Sequence, residues 1–341
     1  MTITMIESTI LEIIQREFPL DPRPYSVLAE MTNTSEKAVM ETVSGLKQSG
    51  IIRNISGIFN ASSLGYDSAL AAFAVPAEKI FSAAEAINSH PGVSHNYLRN
   101  NRYNLWFTIA GDAERGIVGD VEILGNLSGA LDILILKTRH LVKIGVILDI
   151  DDSPHKEDPS VQAMIASCRP FTEQEKSVIA VLQRDLPVEK APFAALISGS
   201  GIKLSEDEIV KKGIKLKEEG VMRRYSAVLR HAKIGYNSNA MTVWNPQGDP
   251  MDPEILSHFA VEKSISHLYV RDAVRGRWDY PIFAMIHSRS EKNLMDIVEK
   301  LALESGIKEY MVLESLREFK KEKIIYFSPE ISEWKWKHSN D

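Results

Sequence analysis

The chain has 341 residues, 44% of them hydrophobic and 25% charged, and carries a net charge of −6. That is ordinary globular composition for about two domains, with no apolar run near the roughly 20 residues that span a bilayer. Its acidic balance and scattered Lys and Arg argue against general phosphate-backbone binding, and its one cysteine, Cys168, excludes an internal disulfide and any Cys/His metal spacing.

The N-terminus carries Glu7 and Glu12 and no basic stretch before an apolar core, so no signal peptide is expected and a cytoplasmic location fits. Apolar periodicity predicts a helix over 5–18, which Pro19, Pro22 and Pro24 then interrupt. A short helix follows over 24–31. Thr34 and Ser35 cap a third over 36–48, whose apolar face is Val39, Met40, Val43 and Leu46. Gly50 ends it as a C′ glycine, and two short strands near 51–60 complete a winged helix-turn-helix. Beyond it the pattern reads strand 68–75, helix 77–89, strands 94–100 and 104–111, helix 114–127 and strand 131–140. A βαββαβ order predicts a ferredoxin-like sheet with helices on one face.

The second half repeats the first. Residues 13–20 (IIQREFPL) match 181–188 (VLQRDLPV), 23–29 match 191–197, 50–66 match 220–236, and 94–99 (SHNYLR) match 266–271 (SHLYVR). The offset stays between 168 and 172 residues, a register that chance similarity would not keep. Ile209, Val210, Gly213 and Leu216 reproduce the third helix's apolar face, Gly220 its cap, and 221–230 its strands. The second βαββαβ runs through 238–244, 252–260, 266–272, 280–287, 290–304 and 308–319. The fold class is therefore α+β in tandem duplication. Its domains are helix-turn-helix 1–60, sheet module 61–150, an acidic linker 151–170, helix-turn-helix 171–230, sheet module 231–330 and a tail 331–341.

Strand alternation puts His95, Tyr97 and Arg99 on one sheet face, and His267, Tyr269 and Arg271 on the corresponding one. Three functional side chains on one face, twice, make a stronger signal than any lone residue. Arg53 and Arg102 in the first half, and Arg223, Arg224, Arg275 and Arg277 in the second, add cations in matching blocks. Trp106 and Trp278 are core or pocket-wall aromatics. His90, His140, His155, His258, His287 and His338 have no motif support and are taken as incidental. The role of His231 stays open.

A winged helix followed by βαββαβ resembles the Lrp/AsnC regulators. The blocks FPLDPRPY, GIIRNISGIFN, LGY and above all PGVSHNYLRNNRYNLWFT are similar to the sirohaem decarboxylase family, over nearly all of residues 8–325. Those enzymes use two homologous subunits, here fused in one chain. The second half departs from the motif at SHLYVRDAVRGRWDYPIFAMI, with two extra residues and Pro281, which suggests unequal roles for the halves. The resemblance implies removal of the carboxyl groups of two acetates of sirohaem, giving 12,18-didecarboxysirohaem on a sirohaem-dependent route to haem. It implies no cofactor beyond that iron tetrapyrrole. On this reading His95 and His267 are general acids, or one of them ligates the substrate iron, and Tyr97 and Tyr269 position the acetate or relay a proton. Arg53, Arg99, Arg102, Arg223, Arg224, Arg271, Arg275 and Arg277 hold the remaining carboxylates, with Trp106 and Trp278 as apolar walls. The expected partners are sirohaem and its products, with no nucleic acid and no membrane. The halves pair internally, which leaves both a monomer and a homodimer open.

Two rivals remain at this level. One is a DNA-binding regulator, haem-responsive or not, although charges cancel on both recognition-helix candidates, 35–48 and 205–218. The other is a catalytically silent tetrapyrrole carrier, which needs the same arginines.

Overall fold

The computed structural model describes residues 4–113, 116–144, 169–198, 200–230 and 238–338. Cys168, His155, His231 and most of the expected linker lie outside them. The first repeat runs α1 (Met5–Arg16), α2 (Pro24–Met31), α3 (Glu36–Gln48), β1 (Ile52–Phe59), β2 (Tyr66–Ala74), α4 (Ile80–Asn88), β3 (Val93–Arg99), β4 (Leu105–Asp112), α5 (Val118–Ser128) and β5 (Asp132–Ile144). The second runs α6 (Glu173–Leu182), α7 (Pro192–Ile197), α8 (Glu206–Glu218), β6 (Met222–Leu229), β7 (Ser238–Asn245), α9 (Pro253–Val261), β8 (Ile265–Arg271), β9 (Ile282–Ser288), α10 (Glu291–Ser305) and β10 (Glu309–Lys321). A last helix, α11 (Glu330–His338), occupies the segment read from sequence as a tail. Among the described residues no helix is long and apolar enough to cross a membrane.

Local chemistry accounts for the helix ends. Thr4 with Glu7, Thr172 with Glu175 and Ser205 with Glu208 form reciprocal capping boxes, and Ser35 accepts from the Ala38 amide. Gly50 and Gly220 take φ of +73° and +71° after α3 and α8, a conformation that side-chain-bearing residues resist. The first helix stops at Arg16, two residues before the expected end, because Glu17 is already extended.

The chain divides into two compact units, and each draws on both repeats. One contains the helix-turn-helix segments, from within residues 1–64 and 147–235; the other contains the sheets, from within 65–146 and 236–341.

In the helical unit the expected wing is corrected. Neither repeat forms a hairpin after its third helix among the described residues. Each supplies one strand, and β1 pairs antiparallel with β6, with Ser56 opposite Ser226 and Gly57 opposite Tyr225. The exchange extends to the loops: the Phe18 amide donates to the Tyr225 carbonyl at 2.7 Å, and the Leu186 amide to the Ile55 carbonyl at 2.8 Å. Ile55, Phe18, Tyr25 and Tyr225 are fully buried, so pairing across the repeats covers apolar surface that a lone hairpin would leave wet.

In the sheet unit each repeat keeps its βαββαβ order, but the two sheets do not stand apart. Their strands close into one eight-stranded barrel, in the order β10-β3-β4-β2-β5-β8-β9-β7. The long last strands make the closure, β5 pairing onto β8 and β10 onto β3. Each long strand thus serves its own sheet with one end and the other repeat's with the other. Phe73, Phe107, Ile87 and Leu124 pack outside the first sheet beneath its helices, with Trp334 of α11 added. Trp244, Phe259, Val298 and Leu301 do the same for the second. A third cluster, with Trp106, Trp278, Phe283, Leu136 and Leu313, fills the space between the sheets. Each such large apolar side chain contributes roughly 1.5–3 kcal/mol on burial.

Candidate functional site

Both candidate trios lie in the barrel, on β3 and β8. On β3, alternation sends Asn96 outward, where its amide donates to Asn88 Oδ1 at 3.0 Å, and Leu98 packs in the outer core. His95, Tyr97 and Arg99 therefore face the other way, with Tyr97 opposite Trp106 of the inner cluster. On β8, Leu268 and Val270 belong to the outer core, while Tyr269 packs against the inner cluster between His267 and Arg271.

The two trios match closely. The rings of His95 and Tyr97 lie 6.3 Å apart at 21°, and those of His267 and Tyr269 lie 6.2 Å apart at 17°. The Arg99 guanidinium sits 5.2 Å over the Tyr97 ring, and that of Arg271 4.5 Å over Tyr269. A serine precedes each histidine and meets its Nδ1: Ser94 Oγ at 2.9 Å and Ser266 Oγ at 2.8 Å. The serines were legible in the repeated Ser-His pair, but the sequence reading passed over them.

The two arginines are sunk into the barrel, at 5% and 7% exposure. Arg99 Nη1 donates to the Leu313 carbonyl (2.7 Å) and Ser315 Oγ (3.1 Å), and Arg271 Nη1 to the Leu136 carbonyl (3.3 Å) and Thr138 Oγ1 (3.0 Å). Burial pulls both guanidinium groups down to about 10, against the opposing pull of Tyr97 and Tyr269, so both remain cationic near neutrality. Each arginine ties its strand to the other repeat's long strand beside a register shift in that strand. The sequence reading takes both as carboxylate holders; here Nη1 of each fork is engaged by a main-chain carbonyl and a hydroxyl, while the Nε of each is buried without a hydrogen-bond partner among the described residues.

The sites differ in what lies across the strand. Tyr97 Oη donates to Glu318 Oε2 at 3.0 Å, with Lys321 Nζ 3.9 Å from the same carboxylate, and Lys321 is the register partner of His95. Leu141 and Ile144 hold the corresponding positions opposite Tyr269 and His267. On the other flank Thr108 is opposite His95, and Met285 is opposite His267. Glu318 and Lys321 were missed from sequence because they come from the other repeat's last strand.

The remaining arginines fall elsewhere. Arg102 and Arg277, from two different loops, converge on Asp132: Arg102 at 3.3 Å on Oδ2, and Arg277 on Oδ1 and the Ile133 carbonyl. Tyr103 Oη donates to the same carboxylate at 2.7 Å. Burial pushes the Asp132 carboxyl up, but the Tyr103, Ile133 and Arg277 hydrogen bonds and the Arg277 charge outweigh it and hold it below the usual range. A groove of about 410 Å³ is lined here by Glu122, Leu131, Asp132, Ile133 and Arg277, and by neither trio. Arg275 is exposed nearby in sequence. Trp106 and Trp278 pack at 4.9 Å, both almost wholly buried, which makes them barrel core. Arg53, Arg223 and Arg224 belong to the helical unit, on β1 and β6; Arg224 is half-buried, and burial, then Arg223, lowers its pKa. His90 is structural: its Nδ1 accepts from the Gly92 amide, its Nε2 lies 3.4 Å from Asp120, and Trp334 meets its ring edge-on at 4.3 Å. Among the described residues no group of three or more His, Cys, Asp or Glu is arranged to hold a metal.

Comparison with known proteins agrees with this architecture. Residues 63–143 and 233–320 match the AsnC-like ligand binding domain, and 7–53 and 175–223 match the siroheme decarboxylase NirDL-like HTH domain. The chain is 39% identical to the siroheme decarboxylase of Hydrogenobacter thermophilus, over 95% of this chain and 96% of that one. It is also similar to the separate alpha and beta siroheme decarboxylase subunits of Oleidesulfovibrio alaskensis. Identity is 38% to alpha, over 43% of this chain and 90% of the subunit, and 35% to beta, over 46% and 98%. A crystal structure of the siroheme decarboxylase NirDL in complex with an iron-uroporphyrin III analogue superposes with a TM-score of 0.76 at 33% identity, covering 98% of this chain and 99% of that one. With relatives alike over full length and both repeats matched by the same two models, the chain belongs to the sirohaem decarboxylase family, with its two homologous parts fused.

Proposed function

We propose that this protein decarboxylates two acetate side chains of sirohaem to give 12,18-didecarboxysirohaem. The observation that carries the site reading is the doubled serine–histidine, tyrosine and buried arginine arrangement on β3 and β8. The βαββαβ order supports reading each sheet as a ferredoxin-like module, and the barrel as the internal counterpart of a two-subunit pairing. The helix-turn-helix model that matches is the decarboxylase type, so the regulator reading gains no support from it.

Loss of carbon dioxide from an acetate on a pyrrole leaves an electron pair on the exocyclic carbon, and the conjugated macrocycle delocalises it. The substrate thus carries its own electron sink and its own iron, and no further cofactor enters the proposal. The protein's part is to orient the carboxylate, exclude water and return a proton to carbon. His95 and His267 supply the proton; with Nδ1 engaged by the preceding serine, delivery falls to Nε2. Tyr97 and Tyr269, held flat beside them by cationic arginines, orient the acetate. A cation against the reacting carboxylate would stabilise the ground state and slow its loss, so Arg99 and Arg271 act from behind the tyrosines. Of the other arginines of the sequence reading, Arg102, Arg275 and Arg277 belong to the sheet unit that carries both trios, and to these the proposal gives further substrate carboxylates.

The test is anaerobic incubation of sirohaem with wild type, His95→Ala, His267→Ala and the double variant, with products resolved by mass. Each single variant should accumulate a mono-decarboxylated species, and the double variant should return sirohaem. Wild-type product from all three removes the acid assignment. Uptake of sirohaem without any loss of carbon dioxide by the wild type makes the protein a carrier.

A further inference from the structure

The two proton donors are backed differently. Ser266 Oγ lies 2.8 Å from His267 Nδ1 and also 2.9 Å from His287 Nε2. His287 sits on β9 with 9% exposure, two residues beyond Met285 on the same face, and its backbone amide donates to the Ser264 carbonyl at 2.9 Å. In the first repeat the residue whose amide makes the corresponding bond, to Gly92, is Ala110. There Ser94 meets the Thr108 hydroxyl at 3.3 Å. One repeat therefore has imidazole–hydroxyl–imidazole, and the other imidazole–hydroxyl–hydroxyl.

We infer that His287 is a positioning residue for the decarboxylation served by His267 alone, acting through Ser266. This rests on the proposed function and deepens it. A serine hydroxyl has one proton to give and lone pairs to accept with, and both rings lie closer to Ser266 Oγ than its other acceptor, the Met285 carbonyl oxygen at 3.4 Å, so Ser266 donates to one ring and accepts from the other. When His267 carries both protons, its Nδ1–H donates to Ser266 and the Ser266 hydroxyl donates to His287 Nε2. After Nε2 has given its proton to carbon, His267 stays neutral with the proton on Nδ1 and the chain unbroken. Return of a proton to Nε2 from solvent restores the start. With His287 in its other tautomer the direction reverses, His287 Nε2–H donating to Ser266 and Ser266 to a neutral His267 Nδ1, which keeps the proton on Nε2. His287 thus provides a hydrogen-bond partner for Ser266 in either state. For His95 that place is taken by the Thr108 hydroxyl.

The experiment compares His287→Ala, Ser266→Ala, His287→Gln, His267→Ala and the double variant His267→Ala/His287→Ala with wild type. Sirohaem turnover is followed anaerobically, and the retained acetate is located on the product. His287→Ala places in the second repeat the residue the first already uses there, and the visible spectrum of bound sirohaem reports an intact site. The expected result is an about 10–100-fold slowing of one decarboxylation, the scale lost when a hydrogen-bonded partner orienting a histidine is removed. The intermediate that accumulates should be the isomer that His267→Ala leaves. His287→Gln, which can still bond Ser266, should recover most of the rate, and the double variant should be no slower than His267→Ala. Equal slowing of both steps, or wild-type rates for His287→Ala beside a stalled His267→Ala, overturns the inference alone. A fully active His267→Ala overturns the site reading and this inference with it.

Discussion

At the scale of single residues, the arrangement turns on two arginines that are buried and still charged. Their guanidinium forks bond main-chain carbonyls of the other repeat's strand and stack on the tyrosines, a pairing of contacts that a lysine ammonium cannot reproduce. Arg99→Lys and Arg271→Lys should each lower unfolding free energy by about 1–3 kcal/mol, read as a shift in denaturant midpoint. Each should slow mainly the decarboxylation of its own trio, read by mass. The histidines and tyrosines of both trios were legible in the sequence, because a strand's two-residue period puts every second side chain on one face. Ser266 with His287 was not, because those residues lie on different strands and no local spacing links them.

At the scale of elements, the strand pair β1–β6 replaces two wings. A Cβ at Gly57 would lie 2.7 Å from the Phe59 ring, 2.9 Å from Met222 Sδ and 3.2 Å from the Leu182 carbonyl oxygen. Gly57→Ala should therefore cost about 1–3 kcal/mol in equilibrium unfolding. The start of α6 gives a pH-dependent prediction. Hydrogen bonds from Arg169 draw the Glu175 carboxyl from its ordinary 4.5 to about 2, with burial opposing and the Thr172 cap assisting. Because the folded value is depressed, its stabilisation is complete above pH 4.5 and lost as pH falls toward 2. Arg169 is 33% exposed and Glu175 21%, so solvent screening reduces the contribution to about 1 kcal/mol. Glu175→Gln should lower stability by that amount at pH 7 and leave it nearly unchanged at pH 2, measured as thermal midpoints at both.

At the scale of the whole molecule, neither repeat is a structural unit by itself. The helical unit and the barrel each take strands from both, and each trio is tied to the long strand of the other repeat. A chain cut within 151–168, with both pieces co-expressed, should keep both decarboxylations, whereas either piece alone should show neither. Activity from one piece would contradict the exchange of β5 and β10 as the basis of the site. Duplication, the order of helices and strands, the caps and the two polar strand faces were determined by the sequence alone, because each is set by residues close together along the chain. What only the tertiary structure decided was where the strands find partners. Backbone hydrogen-bonding groups at a sheet edge carry no local mark of their partner, so the exchange of β1 with β6, the closing of two sheets into a barrel and the unequal surroundings of His95 and His267 emerged only once distant segments were folded together.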